Sequence, residues 1–253
     1  MKYGNMVAMT IQAVLILVIG EQTNVLAQAG KDADQAVRTV IENRLAKHDL
    51  LTDNEIKIDV SDSTITLKGN VATLYQRQQV EHEALSVGEN YRILDSLTVK
   101  PTGIPDAELK KNIVKRINDN VFYSIFDQVT LDVSNGSVTL GGWVNEPWHK
   151  GQFEHQVQRV PGVVQITNNI KIESPSIYDD DIRNTAAQLI YNDPSFELYS
   201  GAAGDPIHIV VNNGEVTLEG EVAYASQRNW AENTITANTD AFKVTNNLRV
   251  ENR

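Results

Sequence analysis

Residues Ile56–Val71 read IKIDVSDSTITLKGNV. The same sixteen-residue pattern returns as VTLDVSNGSVTLGGWV at Val129–Val144 and as IHIVVNNGEVTLEGEV at Ile207–Val222, with no gap in the alignment. Apolar and polar side chains alternate, which is the period of a strand with one buried face. Ile56, Ile58, Val60, Ile65, Leu67 and Val71 share that face in copy one. Val129, Leu131, Val133, Val138, Leu140 and Val144 share it in copy two, and Ile207, Ile209, Val211, Val216, Leu218 and Val222 in copy three. Asn135-Gly136 and Asn213-Gly214 split two of the runs. Asn-Gly supplies the two positive φ angles of a type I′ turn, so each run is a hairpin. Copy one carries Asp62-Ser63 there, a weaker version of the same turn.

Outward from each hairpin the period changes to that of a helix. Val37, Ile41 and Leu45 precede the first hairpin at i, i+4 spacing. Leu109, Ile113 and Ile117 precede the second, and Ile182, Ala186 and Ile190 the third. Asp106 and Asp179–Asp181 suit helix N-termini. A second helix follows each hairpin, through Val80, Ala84 and Val87, then Phe153, Val157 and Val160. In copy three the pattern decays to Ala231, Ile235 and Asn238. Asn145-Glu146-Pro147 reads as a cap with proline at the first helical position. A third strand closes each unit, at Leu97 and Val99, Ile170 and Ile172, and Leu248 and Val250. The expected fold class is α+β: three tandem α-β-β-α-β modules, each a three-stranded sheet with two helices on one face. The modules span 32–101, 104–174 and 177–253, joined by linkers at Pro101–Pro105 and Ser174–Ser176. A module of this size can fold alone.

Residues 1–29 differ from the rest. Lys2 precedes an apolar run, Met6–Ile19, of 14 residues, and Ala27-Gln28-Ala29 fits the small-x-small rule before cleavage at Gly30. The run is shorter than the ~20 residues a spanning helix needs. The expectation is a cleaved secretory signal peptide, ending near Ala29, and a periplasmic location; the rival reading is an uncleaved anchor. The chain holds 22 Lys and Arg against 33 Asp and Glu, net -11. That balance opposes non-specific nucleic-acid binding, which needs phosphate neutralisation. With no cysteine, disulfides, Cys-ligated metal, iron–sulfur clusters and thiol nucleophiles are excluded.

The helix, the hairpin ending in Val-Thr-Leu-x-Gly-x-Val, the second helix, the Val160-Pro161-Gly162-Val163 turn and the closing Asn-Asn-Ile/Leu strand resemble the BON domain family, in three copies. The family takes its name from bacterial osmotically inducible and nodulation proteins. The resemblance implies an exported envelope protein that attaches to phospholipid or envelope components, with no catalytic residue and no cofactor. The family glycine after the second strand falls on Gly69, Gly142 and Gly220. The glycine before the last strand falls on Gly162 alone: copy one has Gly88 one place early and copy three has Asp240, so altered turns are expected there.

Copy two holds the candidate contact residues. Lys110, Lys111, Lys115 and Arg116 lie beside the apolar stripe of its first helix, the composition of a helix that rests on anionic lipid. A solvated helix face, with Glu108 pairing nearby, has the same composition. Residues 102–174 carry 7 basic and 8 acidic side chains, whereas 175–253 carry 5 and 12. Strand parity puts Trp143 on the open sheet face, where it marks either an interface or packing against a neighbouring module. Trp148 opens the second helix where copy one has Tyr75; both suit a membrane interface or a packing role. Glu215, Glu219 and Glu221 alternate near His208, and acidic solvation accounts for them better than a cation site. The five histidines form no catalytic set, and no nucleophile elbow, P-loop or dinucleotide fingerprint occurs. Three functions remain in view: binding of anionic phospholipid or another envelope surface; a chaperone-like role on unfolded or envelope proteins under stress, for which the negative charge is suited; and a purely structural spacer.

Overall fold

The computed structural model describes residues 28, 30–88, 90–199 and 207–251, so apart from Gln28 the expected signal peptide lies outside the described residues. The chain forms two compact units, Met1–Lys100 and Pro101–Arg253.

The first unit is copy one: α1 (30–47), β1 (Glu55–Ser61), β2 (Thr64–Val71), α2 (Leu74–Leu85) and β3 (Arg92–Val99). β1 pairs antiparallel with β2, and β3 pairs parallel with β2 on its other side. A hairpin makes the antiparallel pair; only a crossover such as α2 can return the chain for the parallel one. Ile58, Ile65, Leu67, Val71, Leu97 and Val99 face Ile41 and Leu45 of α1 and Val80 and Ala84 of α2 in one buried cluster. α2 begins where the Thr73 side chain accepts the Gln76 N–H at 3.2 Å.

The second unit holds copies two and three. Copy two comprises α3 (Asp106–Asn118), β4 (Gln128–Ser134), β5 (Ser137–Val144), α4 (Pro147–Gln158), β6 (Gln165–Asn168) and β7 (Lys171–Ile172). Copy three comprises α5 (Ile177–Tyr191), a short 3-10 helix (Pro194–Tyr199), β8 (His208–Asn212), β9 (Glu215–Glu219), β10 (Glu221–Val222), α6 (Ala225–Asn238), β11 (Lys243–Asn246) and β12 (Arg249–Val250). Each repeats the antiparallel hairpin with a parallel third strand. The 3-10 helix, which the hydrophobic pattern does not announce, seats Phe196 fully buried in the core of copy three.

The hairpin turns take the expected conformation in all three copies, with positive φ at Asp62 and Ser63, Asn135 and Gly136, and Asn213 and Gly214. In copies two and three a helix-start carboxylate clamps the turn. Asp106 accepts the N–H groups of Asn135 (2.7 Å) and Gly136 (3.1 Å), and Asp179 those of Asn213 (2.9 Å) and Gly214 (2.7 Å). The family glycine has a steric cause. A Cβ on Gly69 would lie 1.7 Å from the Glu55 carbonyl oxygen, and one on Gly142 would lie 1.9 Å from that of Gln128. Gly220 adopts a similar backbone, with φ 128° against 123° at Gly69.

The third strand of copies two and three is broken after Asn168 and Asn246. At the break the Asn168 side chain accepts the Ile170 N–H (3.1 Å) and donates to the Lys150 carbonyl and the Glu154 carboxylate. Asn246 does the same with Leu248, Arg228 and Glu232. Copy one has Asp95 at this position; it accepts the Leu97 N–H and pairs with Arg77 at 2.8 Å.

Within the second unit a connector of copy two, residues 119–127, lies against copy three. The Ile209 N–H donates to the Ile125 carbonyl at 2.7 Å, and Phe126 packs on the copy-three core. Tyr123 meets His208 with ring centroids 5.1 Å apart. His208 and Val210 therefore end up 9% and 5% exposed, although strand parity alone turns them to the open face. Arg183 of α5 pairs with Glu173, which directly follows β7, and donates to the Val211 carbonyl.

Candidate functional site

The C-terminal end of α3 decides what copy two presents. α3 buries Leu109, Ile113 and Ile117 and ends at Asn118, after which the chain turns outward. The Asn120 side chain accepts the Phe122 N–H at 3.0 Å and fixes that turn. Val121 is left 89% exposed and Phe122 47%. Trp148, in the first turn of α4, is 50% exposed and meets Phe122 edge-on at 5.0 Å. Three adjacent large apolar side chains on a soluble surface mark a contact site more often than chance.

Beside them α3 and α4 enclose an open groove of about 720 Å³, lined by Val121 and Phe122 together with Lys115, Arg116 and Arg159. Lys115 reaches Asp119 at 2.6 Å, and Arg116 donates to Gln156 at 3.1 Å. Asp119 is exposed and Gln156 half-buried, and a surface pair of this kind contributes little and yields readily to an anionic ligand. Lys110 and Lys111 lie farther back along α3, flanking half-exposed Val114, with Lys110 3.8 Å from Asp132. Of the residues named from sequence, Lys115, Arg116 and Trp148 thus come together at one end of copy two, while Lys110 and Lys111 flank it.

Trp143 does not join them. Its neighbours Gly142 and Val144 in β5 alternate with it, and Val144 faces the core, so the indole is on the other side of the sheet. Lys171 stands over its ring at 5.0 Å. The same cross-strand position holds Asn70 with Thr98, hydrogen-bonded at 2.6 Å, in copy one, and Glu221 with Arg249, paired at 3.6 Å, in copy three. Three different matched pairs at one register position indicate a sheet-stabilising pair.

Val121, Phe122 and Arg159 were not singled out from sequence. The signal was present in Val121-Phe122, an apolar pair directly after Asp119-Asn120 that continues neither period. Arg159 is the C-cap of α4 and meets the groove only through the packing of α4 beside α3.

The polar groups buried in copy two serve its fold. Asp127 is fully buried and accepts from the Ser124 N–H and hydroxyl and the Asn145 N–H, with His149 Nδ1 at 2.9 Å. His149 is itself 5% exposed, and this carboxylate ties the connector to the start of α4. In copy three Glu215 pairs with Lys243, Glu219 accepts from Asn247, and Glu221 pairs with Arg249, so each acid has its own partner. Among the described residues no group of three or more His, Asp or Glu could hold a metal ion. Burial pushes the Glu173 carboxyl up to about 7, outweighing the Arg183 guanidinium that lowers it. Burial also raises the Tyr191 phenol, whose hydroxyl donates to the Ile207 carbonyl at 2.6 Å. Among the described residues no helix is long and apolar enough to cross a membrane.

The sequence model of the BON domain family matches the chain over residues 33–101, 105–174 and 179–252. No curated protein matches it. Two solved structures of CdsD, a structural protein of the type III secretion system of Chlamydia trachomatis, align with 85% of this chain. One, of the C-terminal domain, is 12% identical over 96% of its own length; the other is 11% identical over 92%. Both have a TM-score of 0.25, at which the likeness carries no argument.

Proposed function

The chain belongs to the BON domain family, three times over, and from that premise we propose that it is an exported, non-catalytic binding protein whose second copy docks on anionic phospholipid of the cell envelope. The observation that carries this reading is the meeting of exposed Val121, Phe122 and Trp148 with Lys115, Arg116 and Arg159 at one end of copy two.

The chemistry of a bilayer surface matches that arrangement. Aromatic side chains settle at the headgroup level, and cations beside them meet the lipid phosphates. Each Lys or Arg near an anionic surface is worth about 1 kcal/mol, so three give about 3 kcal/mol before any apolar insertion. Attachment on that scale is reversible, as for a single lipid anchor. Copy two suits the task because its net charge is -1, whereas copy three, at -7, is repelled by the same surface. The first 29 residues supply the export signal in this reading, with cleavage near Ala29.

Co-sedimentation with vesicles tests the proposal. The mature chain is expected to pellet with vesicles containing phosphatidylglycerol, to stay in solution with pure phosphatidylcholine, and to be released by salt. Phe122→Ser with Val121→Ser is expected to weaken binding on the order of tenfold, and Lys115→Glu with Arg116→Glu, which removes about 2 kcal/mol of attraction and adds repulsion, by about thirtyfold or more. Equal binding to neutral vesicles, or binding unchanged in both double variants, overturns it.

A further inference from the structure

Copy three carries a second exposed apolar cluster, and its charge is opposite. Ile177 is 90% exposed, Phe242 77% and Tyr178 41%. They come from two segments that the fold brings together: the first two residues of α5 and the residue before β11. Tyr178 and Phe242 stack at 5.8 Å, the Tyr178 hydroxyl donates to the Asp240 carbonyl, and the Phe242 N–H donates to the Gly214 carbonyl at 2.8 Å. Those bonds hold the cluster in place on the surface. The exposed residues Asp181, one turn after Tyr178 on α5, and Asp240, whose carbonyl holds the Tyr178 hydroxyl, lie beside it, while Asp180 pairs with Arg183.

This face is the chemical counterpart of the end of copy two. One has Val121, Phe122 and Trp148 beside Lys115, Arg116 and Arg159; the other has Ile177, Tyr178 and Phe242 beside the carboxylates of Asp181 and Asp240. Both belong to the same compact unit and both are exposed in it, so neither covers the other within one chain. We propose that the Ile177–Tyr178–Phe242 face of one chain docks on the Val121–Phe122–Trp148 face of a second copy of this chain when no membrane occupies the latter.

Two consequences follow from the geometry. The joined surfaces are different, so the contact is head-to-tail; it grows with concentration as an open chain or closes into a ring, according to the rotation between the two faces. The copy-two face is also the one assigned above to lipid, so anionic vesicles and a second chain compete for it. The docking itself does not depend on that assignment, because it can be measured without lipid.

Sedimentation velocity of the mature chain over a concentration series tests the proposal. Association that weakens with salt is expected, and Phe242→Ser with Ile177→Ser is expected to weaken it on the order of tenfold or more while vesicle binding stays intact. Phe122→Ser with Val121→Ser is expected to abolish association from the other side. The decisive sample is a mixture of the two double variants. Each retains one working face, so together they are expected to form a 1:1 heterodimer and nothing larger. Thermal melts of each variant confirm folding, which these exposed positions leave unchanged. A chain that is monomeric at every concentration, association that survives Phe242→Ser with Ile177→Ser, or a mixture that forms no heterodimer overturns the proposal. Loss of vesicle binding with association intact would instead count against the lipid reading alone.

Discussion

Asp62 and Ser63 both hold left-handed backbone, with φ of 49° and 56°. The corresponding second residue is Gly136 in copy two and Gly214 in copy three. A side chain other than glycine costs about 1–2 kcal/mol in that region. Copy one therefore carries strain that its siblings avoid, and it lacks their clamp as well. Asp34 stands at the position aligned with Asp106 and Asp179, and the turn of copy one begins with another carboxylate, Asp62, in place of Asn. Ser63→Gly is expected to stabilise the protein by about 1 kcal/mol, read as a higher urea midpoint with an unchanged slope. The identity of the turns was legible because Asn-Gly names its own dihedral angles. The clamping role of Asp106 and Asp179 was not, because it links residues about 30 positions apart that read separately as a helix start and a turn.

At the scale of the element, the third strand is the informative one. Its Asn-Asn pair recurs visibly in Thr167-Asn168-Asn169 and Thr245-Asn246-Asn247, yet the sequence offers no reason for it. The reason lies across the sheet: one amide closes the break in the strand and anchors it to the helix in front. Asn168→Ala leaves the Ile170 N–H without its acceptor in a position that is 1% exposed. The expected cost is about 1–3 kcal/mol in chemical denaturation. Asn168→Asp is expected to be no better, because the new carboxylate faces Glu154, which now stands 2.9 Å from the amide. Copy one tolerates Asp95 only because Arg77 takes up the second oxygen. The candidate contact surface follows the same logic. Lys115, Arg116 and Trp148 could be picked out by residue type, but the end of copy two exists only where a connector, a helix end and a neighbouring helix meet. Trp143, equally conspicuous by type, is answered by Lys171 across the strand.

At the scale of the molecule, the repeat and the order of its helices and strands follow from periodicity and turn chemistry, whereas the parallel direction of the third strand is seen only in the structure. The contacts between copies two and three do not, because Phe126 and Arg183 break no pattern within their own copies. The Glu173–Arg183 pair at that contact gives a pH prediction. Burial raises the folded Glu173 carboxyl from an ordinary 4.5 to about 7, so between those values the folded chain binds a proton that the unfolded chain has released. The stability this contributes is full below about pH 4.5 and is lost as pH rises through about 7. Glu173→Gln removes that dependence. Denaturation of both proteins across the window is expected to show the native chain losing ground to the Gln variant as pH increases.

The lodging of Phe126 and Arg183 bears on how this gene can be cut or shuffled. A truncation after Ser174 would follow the repeat boundary, yet it would strip the cover from Phe126 and orphan the Glu173 carboxylate. The second and third repeats form one compact piece, so the cut that leaves each side whole falls after Lys100.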